Sequence, residues 1–357
     1  MSIAEAPKAS DLIDFLVNKG NGVKGLSQMS LKIIPQEFIQ PHEERLDFSQ
    51  ILSSESIPFL DFSNINDPKV ADSICDAAEK WGFFQIINHG IPIEVLENVI
   101  DAGHKFFELP VEERRKYLKE NSPTHTVHLK TSFSPLTEKV LEWKDLLFHI
   151  YDSDDDESTK LWPAVSKDQV FEYMKWAKPI IVKLLEVLLE RLNVKHIDEL
   201  MKSAVMGTLI VNLNHYPVCP SPELTAGAGR HSDISTISML LQDDVGGLYV
   251  REPKGDGWIH VPPVKGALVI NIGDVLQIMS NNRYKSVEHR VVVNASRNRV
   301  SVPIFVNPAL DAVFGPLTQV QENGEKPMYK QVVYSDYFNY FFSKGRDGKQ
   351  TIEFAKL

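Results

Sequence analysis

A change of hydrophobic period near Met206 constrains the fold more than any other feature of the sequence. Between about residues 66 and 195, apolar side chains recur at steps of three and four, the spacing of helices with one buried face. The helices predicted by this spacing cover Ala71–Trp81, Ile93–Phe107 and Ser166–Leu192. A Ser166-x-x-Gln169 capping box predicts the start of the last helix, and Pro179 predicts a kink within it.

After Met206 the period is two, and turn-forming residues recur at short intervals. The strands predicted from this alternation are Thr208–Asn214, Thr236–Leu241, Leu248–Arg251, Trp258–Val261, Ala267–Ile272, Ser286–Val293 and Arg299–Val306. No helical spacers separate them, which argues against a parallel dinucleotide-binding sheet. The pattern indicates an antiparallel sandwich or jelly roll that follows a helical region.

Charge and composition argue against several classes of function. Lys and Arg number 38 against 48 Asp and Glu, so the net charge is −10, which disfavours nucleic acid as a partner. No apolar run reaches the roughly 18 residues of a membrane span, and the amino terminus does not resemble a secretory signal. The two cysteines, Cys75 and Cys219, fit a reducing compartment. The acidic run Asp152–Glu157 is interpreted as a solvated loop.

A candidate metal site lies in the strand-rich half. His231 and Asp233 are two residues apart, so in extended backbone both side chains leave the same face. His289 lies on a later predicted strand and could supply a third ligand. Two histidines and one carboxylate form the facial triad that holds non-haem Fe(II) and leaves positions open. An isolated His-x-Asp pair is common by chance and does not by itself define such a site.

A second pair with the same spacing is Arg299-x-Ser301, which places a guanidinium and a hydroxyl on one strand face. An unpaired arginine is costly on the inner face of a sandwich. Arg299 therefore requires an anionic partner, which could be a structural Asp or Glu or the distal carboxylate of a ligand. The planar fork of arginine binds a carboxylate through two parallel hydrogen bonds.

In this order and spacing, the motifs resemble the Fe(II)- and 2-oxoglutarate-dependent dioxygenase superfamily of plant specialised metabolism. The resemblance covers roughly residues 20–357. Further segments that carry it are Trp81–Gly90, Asn214–Pro220, Gly246–Leu248, Asn271–Asp274 and Ser301–Phe305. In the second of these, Asn-His-Tyr-Pro-x-Cys-Pro, His215 replaces the usual first tyrosine.

The resemblance implies a mainly β fold with α, a double-stranded β-helix (jelly roll) core flanked by amino-terminal helices. It implies that Fe(II) is held by His231, Asp233 and His289. It implies that 2-oxoglutarate is held by Arg299 and Ser301, supported by Tyr216 and Asn214. Dioxygen is the other cosubstrate and ascorbate a supporting reductant, and 2-oxoglutarate leaves as succinate and carbon dioxide while the substrate is oxidised.

Three regions are expected: an amino-terminal helical layer with flanking strands over 1–205, the catalytic jelly roll over 206–310, and a tail over 311–357 that packs on the core. By resemblance, substrate selectivity belongs to segments that flank the mouth of the jelly roll. The residues predicted to line this pocket are Leu129, Thr131, Phe133, Asn212 and Phe305. His128 could also face the substrate, and His215 is expected on the side of its strand opposite the cosubstrate.

Three segments, Asn21–Leu26, Thr131–Leu136 and Leu141–Asp145, are similar to the feruloyl-CoA 6′-hydroxylase branch. This branch hydroxylates hydroxycinnamoyl-CoA thioesters, chiefly feruloyl-CoA and in some members p-coumaroyl-CoA, on the way to scopoletin- and umbelliferone-type coumarins. A CoA thioester is polyanionic, so it needs cations at the pocket mouth. The candidates are Lys130, Lys144 and Arg230.

Other functions stay open at this point. Hydroxylation of a free coumarin, as in the scopoletin 8-hydroxylase branch, or of another phenolic is the main alternative. A non-catalytic small-molecule binder and a Zn(II) hydrolase with the same ligands are alternatives of other classes. A cytoplasmic monomer is expected, with an acyl-CoA or a small phenolic as its partner. The final Ala355-Lys356-Leu357 is also close to a peroxisomal address.

Overall fold

The computed structural model describes residues 9–29, 31–53, 55–151, 160–321, 324, 326–344 and 348–357, and the acidic run Asp152–Glu157 lies outside them. The strands are β1 Phe59–Asp61, β2 Phe83–Ile87, β3 Val127–Thr131, β4 Asp145–Tyr151, β5 Thr208–Tyr216, β6 Ala228–His231, β7 Ile237–Gln242, β8 Leu248–Arg251, β9 Trp258–Val261, β10 Leu268–Ile272, β11 His289–Val291, β12 Arg299–Asn307, β13 Val313–Phe314 and β14 Val332–Val333. The α-helices are α1 Ala9–Ile13, α2 Gly22–Gln28, α3 Pro68–Lys80, α4 Ile93–Glu108, α5 Val111–Arg114, α6 Lys167–Glu190, α7 Glu199–Met206, α8 Asp274–Met279, α9 Thr318–Gln321 and α10 Tyr334–Lys344.

Two sheets form the core. The larger has eight strands in the order β1-β2-β10-β7-β12-β5-β4-β3, and the smaller has the order β6-β11-β8-β9. Pairing in both is antiparallel except between β1 and β2. Side chains of both sheets line a common interior, so the sheets face each other as in a jelly roll. The predicted fold class, a mainly β jelly roll flanked by helices, is confirmed.

The outer face of the larger sheet is covered by α3, α4 and α6, which share one hydrophobic core with β5, β7, β10 and β12. All three predicted helices are present, and Pro179 lies inside α6. The predicted capping box at the start of α6 is wrong. The Ser166 side chain makes no cap bond, because its hydroxyl instead faces the Pro163 carbonyl oxygen at 3.5 Å. Among the described residues, no helix is both long and apolar enough to cross a bilayer.

All seven predicted strands are present, with ends that shift by up to three residues, but seven of the described strands were not predicted: β1, β2, β3, β4, β6, β13 and β14. The strand β4 shows why. It is buried for most of its length between other parts of the protein, so its sequence is almost continuously apolar and lacks a period of two. The larger sheet thus draws strands from both sides of residue 206, and the three-region division stays a prediction.

Cross-strand register places one row of side chains on the inner face of the larger sheet. Within the row, each residue is paired with the next: Gln242, Ser301, Asn214, Leu146 and Lys130. Adjacent strands lie about 4.8 Å apart, so the row runs roughly 19 Å from β7 to the edge strand β3. The row therefore connects the predicted cosubstrate residues with the predicted substrate side.

The amino-terminal segment is anchored to this sheet by Asp145. The Asp145 carboxylate accepts hydrogen bonds from the backbone N–H groups of Val23 and Lys24, at 2.9 and 2.7 Å, in the first turn of α2. Gly22 has a φ of +66°, and a Cβ there would collide with the same carboxylate. Two of the segments similar to the feruloyl-CoA 6′-hydroxylase branch, Asn21–Leu26 and Leu141–Asp145, therefore meet in the folded protein.

Candidate metal centre and active site

The structure brings His231, Asp233 and His289 together. His231 ends β6, His289 begins β11, and the two are directly paired across these antiparallel strands. Asp233 Oδ1 lies 3.6 Å from His231 Nε2 and 3.7 Å from His289 Nε2. One ligand atom from each of the three residues lies within 4.8 Å of the others. This spacing allows all three atoms to contact a single ion.

The remaining polar atoms of these three side chains are held by neighbours. His231 Nδ1 lies 2.7 Å from the Gly229 carbonyl oxygen, to which its N–H can donate. With the proton on Nδ1, Nε2 has the free lone pair that can bind a metal ion. Asp233 Oδ2 accepts hydrogen bonds from Ser238 Oγ at 2.7 Å and Asn271 Nδ2 at 2.8 Å. Sequence reasoning had not assigned Ser238 or Asn271 to the site, although Asn271 lies in one of the resemblance segments.

The predicted cosubstrate residues share one region of the inner face. Arg299 is paired with Tyr216, and Ser301 with Asn214, across β12 and β5. The Arg299 guanidinium lies 4.9 Å from the centre of the Tyr216 ring. It donates to Ser301 Oγ at 3.2 Å and to Gln242 Oε1 at 3.1 Å. Sequence reasoning missed Gln242, which occupies the same inner-face row.

The partners of Arg299 are uncharged although the residue is only 2% exposed. Within the described part of the chain, no carboxylate forms an ion pair with it, and Arg299 Nε and Asn214 Oδ1 are buried without hydrogen-bond partners. The charge of Asp243 acts on Arg299 only from beyond ion-pair distance, and a buried guanidinium without a carboxylate in direct contact is unfavourable. Of the two partners considered for Arg299, the described residues therefore favour an anionic ligand over a structural carboxylate.

Two adjoining cavities meet at this site. One of about 60 Å³ contains the His-Asp-His group and the cosubstrate residues, and the other, of about 200 Å³, extends from it toward β3. The residues that line both are Lys144, Asn214, His231, Asp233 and Phe305. Aromatic side chains dominate the second cavity and include three from α10, Phe338, Phe341 and Phe342. A wider depression of about 450 Å³ beside α4 contains none of the predicted site residues.

Three of the five residues predicted to line the substrate pocket, Phe133, Asn212 and Phe305, line the 200 Å³ cavity. The structure places the other two elsewhere. Leu129 belongs to the hydrophobic core, and Thr131 Oγ1 donates to Asp145 at 2.7 Å. Successive side chains of a strand point to opposite faces, so Leu129 and Thr131 lie on the outer face of β3.

Two histidines considered from the sequence, His128 and His215, now have defined positions. His128 lies two residues before Lys130 on β3 and therefore shares the inner face with it. His215 stacks on Phe107 of α4, with ring centres 4.6 Å apart. The expectation that His215 lies opposite the cosubstrate side is thereby confirmed. Burial holds the pKa of His215 well below its usual range, so the ring is neutral.

Two of the three cations suggested for a polyanionic substrate already have carboxylate partners. Lys144 Nζ lies 2.7 Å from Glu142 Oε2. Arg230 forms ion pairs with Glu44 at 3.0 Å and Glu288 at 3.1 Å. Lys130 differs from both, because it lies 4.2 Å above the Phe148 ring and forms no ion pair with any described residue.

Comparisons with known proteins agree with this geometry. The sequence model described as the 2OG-Fe(II) oxygenase superfamily matches residues 207–308. The one described as the non-haem dioxygenase in morphine synthesis N-terminal region matches residues 57–166. Among solved structures, JOX2 in complex with 2OG, Fe and JA has a TM-score of 0.82 at 30% identity, covering 94% of this chain and 97% of that one. The rice dioxygenase for auxin oxidation shares the fold, with a TM-score of 0.72 at 21% identity, covering 85% of this chain and 100% of that one.

Curated relatives match almost the whole chain. Feruloyl CoA ortho-hydroxylase 1 of Arabidopsis thaliana is 54% identical, covering 98% of this chain and 96% of the relative. Feruloyl CoA ortho-hydroxylase F6H1-2 of Ipomoea batatas is 53% identical, covering 98% of this chain and 97% of the relative. The bi-functional coumaroyl CoA and feruloyl CoA ortho-hydroxylase F6H2-2-1 of the same plant is 56% identical, covering 98% of this chain and 97% of the relative. The chain therefore belongs to the 2OG-Fe(II) oxygenase superfamily and is a dioxygenase that uses Fe(II), 2-oxoglutarate and dioxygen.

Proposed function

We propose that this dioxygenase hydroxylates the ring of hydroxycinnamoyl-CoA thioesters ortho to the side chain, with feruloyl-CoA as the main substrate and p-coumaroyl-CoA as a second. The observation that carries the proposal is the 53–56% identity, over nearly the whole chain, to enzymes named for this reaction. Isomerisation of the side chain and lactonisation of the products give scopoletin- and umbelliferone-type coumarins.

His231, Asp233 and His289 would hold the iron. Two imidazole nitrogens and one carboxylate oxygen within 4.8 Å of one another suit the facial triad of non-haem Fe(II). Bound there, iron couples the oxidative decarboxylation of 2-oxoglutarate to substrate hydroxylation. The hydrogen bonds from Ser238 and Asn271 to Asp233 Oδ2 support this assignment, because they orient Oδ1 toward the two histidines.

Arg299 and Ser301 would bind the distal carboxylate of 2-oxoglutarate. The guanidinium supplies charge and a planar fork of donors, and the Ser301 hydroxyl adds one further donor. Tyr216 holds the guanidinium from its ring face, and Asn214 lines both cavities, where its amide can contact the cosubstrate. The buried Arg299 Nε and Asn214 Oδ1, which have no partner within the described residues, support a polar ligand at this place.

The 200 Å³ cavity would take the hydroxycinnamoyl group. Its volume is below the roughly 300–1,000 Å³ of pockets that enclose a whole drug-sized ligand. It can therefore enclose one ring and a short side chain, whereas the nucleotide of CoA must lie outside. The aromatic lining suits a flat ring, and its contact with the metal cavity brings that ring beside the three metal-ligand candidates. The same lining excludes water from the reacting ring.

A substrate panel tests the proposal. Feruloyl-CoA, p-coumaroyl-CoA, free ferulate and scopoletin are each supplied with Fe(II), 2-oxoglutarate and ascorbate, and products are identified by mass spectrometry. We expect a hydroxylated thioester with one succinate per product, and no turnover of free ferulate. Hydroxylation of scopoletin without turnover of either thioester would overturn the proposal. Turnover in an anaerobic repeat of the panel would contradict a dioxygenase reaction.

We further propose that the protein acts as a cytoplasmic monomer with small-molecule partners. The net charge of −10 supports the absence of nucleic acid among them. Ala355 is fully buried, and its carbonyl oxygen accepts a hydrogen bond of 2.9 Å from the Lys330 backbone N–H. The backbone of Ala355–Leu357 is thus held against residues 328–330, while the side chains of Lys356 and Leu357 are exposed. Import of a fluorescent fusion into peroxisomes would contradict the cytoplasmic assignment.

A further inference from the structure

A group of basic side chains lies where the substrate cavity reaches β3, the edge strand of the larger sheet. Lys130 lines the cavity and is only partly buried. A parallel bridge pairs Leu118 with Leu129, so the next residues along both segments, Lys119 and Lys130, are neighbours. Lys119 is exposed. The two lysines therefore form a continuous basic surface from the cavity to solvent.

Within the described residues, neither Lys119 nor Lys130 of this basic surface forms an ion pair with a carboxylate. The nearby Lys116, by contrast, pairs with Glu113 at 2.7 Å. Burial, with a smaller contribution from Lys119, lowers the pKa of Lys130 to about 8. Two adjacent unpaired cations are unfavourable on their own, and they are unexpected in a chain with a net charge of −10.

Two histidines, His125 and His128, border the lysines. His125 is exposed to solvent. Burial and the charge of Lys130 hold the pKa of His128 below its usual range, so His128 is neutral at physiological pH. Anion attraction at this surface therefore rests on Lys119 and Lys130.

The catalytic assignments leave these lysines without a role. Along the inner-face row, Lys130 is three strand spacings from Ser301, which corresponds to about 14 Å. At that distance it contacts neither the metal-ligand candidates nor the distal carboxylate site. It does stand at the end of the cavity opposite Arg299, where a ligand too large for about 200 Å³ must leave the enclosed space.

We propose that Lys119 and Lys130 bind the phosphate groups of the coenzyme A part of the substrate as it leaves the cavity across β3. This inference rests on the proposed function, since it requires a CoA thioester as substrate. The enclosed cavity holds the acyl group, and the flexible pantetheine arm leads from it to the basic surface. Lys144 and Arg230 do not serve this purpose because carboxylates already neutralise them.

A comparison of two thioesters tests the proposal. Feruloyl-CoA and feruloyl-N-acetylcysteamine share the acyl group and the thioester, but only the first carries phosphates. For the double variant Lys119→Gln/Lys130→Gln, we expect the KM for feruloyl-CoA to rise roughly three- to tenfold, as for two partly exposed ion pairs. The KM for feruloyl-N-acetylcysteamine should rise clearly less, because this thioester carries no phosphate, and its continued turnover also shows that the variant is folded.

The double variant Lys80→Gln/Lys105→Gln is the matched control, because both lysines are exposed and paired, with Asp76 and Asp101, and their replacement also removes two positive charges. It should leave both KM values unchanged. An unchanged KM for feruloyl-CoA in the Lys119/Lys130 double variant, or an equal rise for both thioesters, would overturn the proposal.

The salt dependence gives a second readout. Added salt should raise the KM of the unmodified protein for feruloyl-CoA more steeply than that of the Lys119/Lys130 double variant, because salt screens exposed charges. If the KM for feruloyl-CoA rose equally steeply with salt in both proteins, the proposal would be contradicted. Failure of the proposed function is distinguishable, since the unmodified protein would then turn over neither thioester while it hydroxylates a free phenolic.

Discussion

Lys144 Nζ lies 2.7 Å from Glu142 Oε2, and both side chains are only 4% exposed. The other oxygen of Glu142 accepts a 2.7 Å hydrogen bond from the backbone N–H of Gly229. The carbonyl oxygen of Gly229 in turn lies 2.7 Å from His231 Nδ1. A buried ion pair that borders both cavities is thus connected by hydrogen bonds to a candidate metal ligand.

We expect Lys144→Met to destabilise the fold by about 3–5 kcal/mol, because it removes the ammonium that the buried Glu142 carboxylate contacts at 2.7 Å. The double variant Lys144→Met/Glu142→Gln should recover most of this loss, since the amide oxygen can still accept from Gly229 and no charge remains. Urea denaturation of both variants measures the difference. Equal stability of the single and double variants would show that the pair is not coupled.

His231→Ala should lose metal binding, because it removes one of the three atoms that can contact an ion together. Anaerobic titration calorimetry with Fe(II), or with Mn(II) as a redox-stable substitute, measures this directly and without turnover. His260→Ala is a matched control on the same small sheet, where the ring lies against Tyr249. Unchanged affinity in the His231 variant would exclude it as a ligand.

Arg299→Gln should raise the KM for 2-oxoglutarate by about 100-fold and leave the KM for the thioester unchanged, as for truncation of one partner of a buried charge pair. The control is Arg297→Gln, since Arg297 is two residues away but exposed and paired with Asp244. Succinate formation at varied 2-oxoglutarate measures both. An unaltered requirement in the Arg299 variant would mean that Arg299 is purely structural.

The proximity of His231, Asp233 and His289 could be predicted from sequence because local spacing and one strand pairing suffice. The two residues of the His-x-Asp motif diverge little in extended backbone, and His289 joins them through its direct pairing with His231. Their hydrogen-bond partner Asn271 carried a signal as part of a resemblance segment. Ser238 carried none, because its role depends only on the placement of β7 beside β10.

The two misplaced pocket residues, Leu129 and Thr131, were predictable in principle. The β3 sequence Val-His-Leu-Lys-Thr alternates, with Val127 and Leu129 apolar and His128 and Lys130 polar. Had the strand been recognised, the apolar residues would have been assigned to the helix-covered core and Lys130 to the cavity. A run of five residues within a mainly helical region is too short for this alternation to be distinguished from chance.

The neutralisation of Arg230 was not predictable from local sequence. Its partner Glu44 is 186 residues away in the chain and approaches only through the folded amino-terminal segment. Lys144 and Glu142 are two residues apart, but their pairing depends on the bend of the backbone before β4. Which cations remain available for a ligand could therefore be decided only from the structure.

Glu138 should make stability depend on pH in the acidic range. Burial and the nearby Glu142 raise the pKa of Glu138 to about 7 from an ordinary value of 4.5, and Ser132 Oγ donates a hydrogen bond to it. The native state holds this proton more tightly than the unfolded chain does. The contribution of Glu138 to the free energy of unfolding is therefore complete below pH 4.5 and is lost as the pH rises through about 7. Glu138→Gln should therefore gain stability over the unmodified protein as the pH rises from 5 to 8. Urea denaturation at both pH values measures the stability difference between Glu138→Gln and the unmodified protein. The same difference at pH 5 and pH 8 would contradict this prediction.

Lys130 should make the recognition of feruloyl-CoA depend on pH in the alkaline range. Its pKa of about 8 means that the ammonium is charged below pH 8 and loses its charge above it. The ratio of kcat/KM for feruloyl-CoA to that for feruloyl-N-acetylcysteamine should therefore fall roughly two- to fivefold between pH 7 and pH 9, as for the loss of one ion pair. Taking the ratio cancels groups that act on both substrates. In Lys130→Gln this ratio should already be low at pH 7 and should stay constant up to pH 9. A fall of the same size in that variant would show that another group titrates.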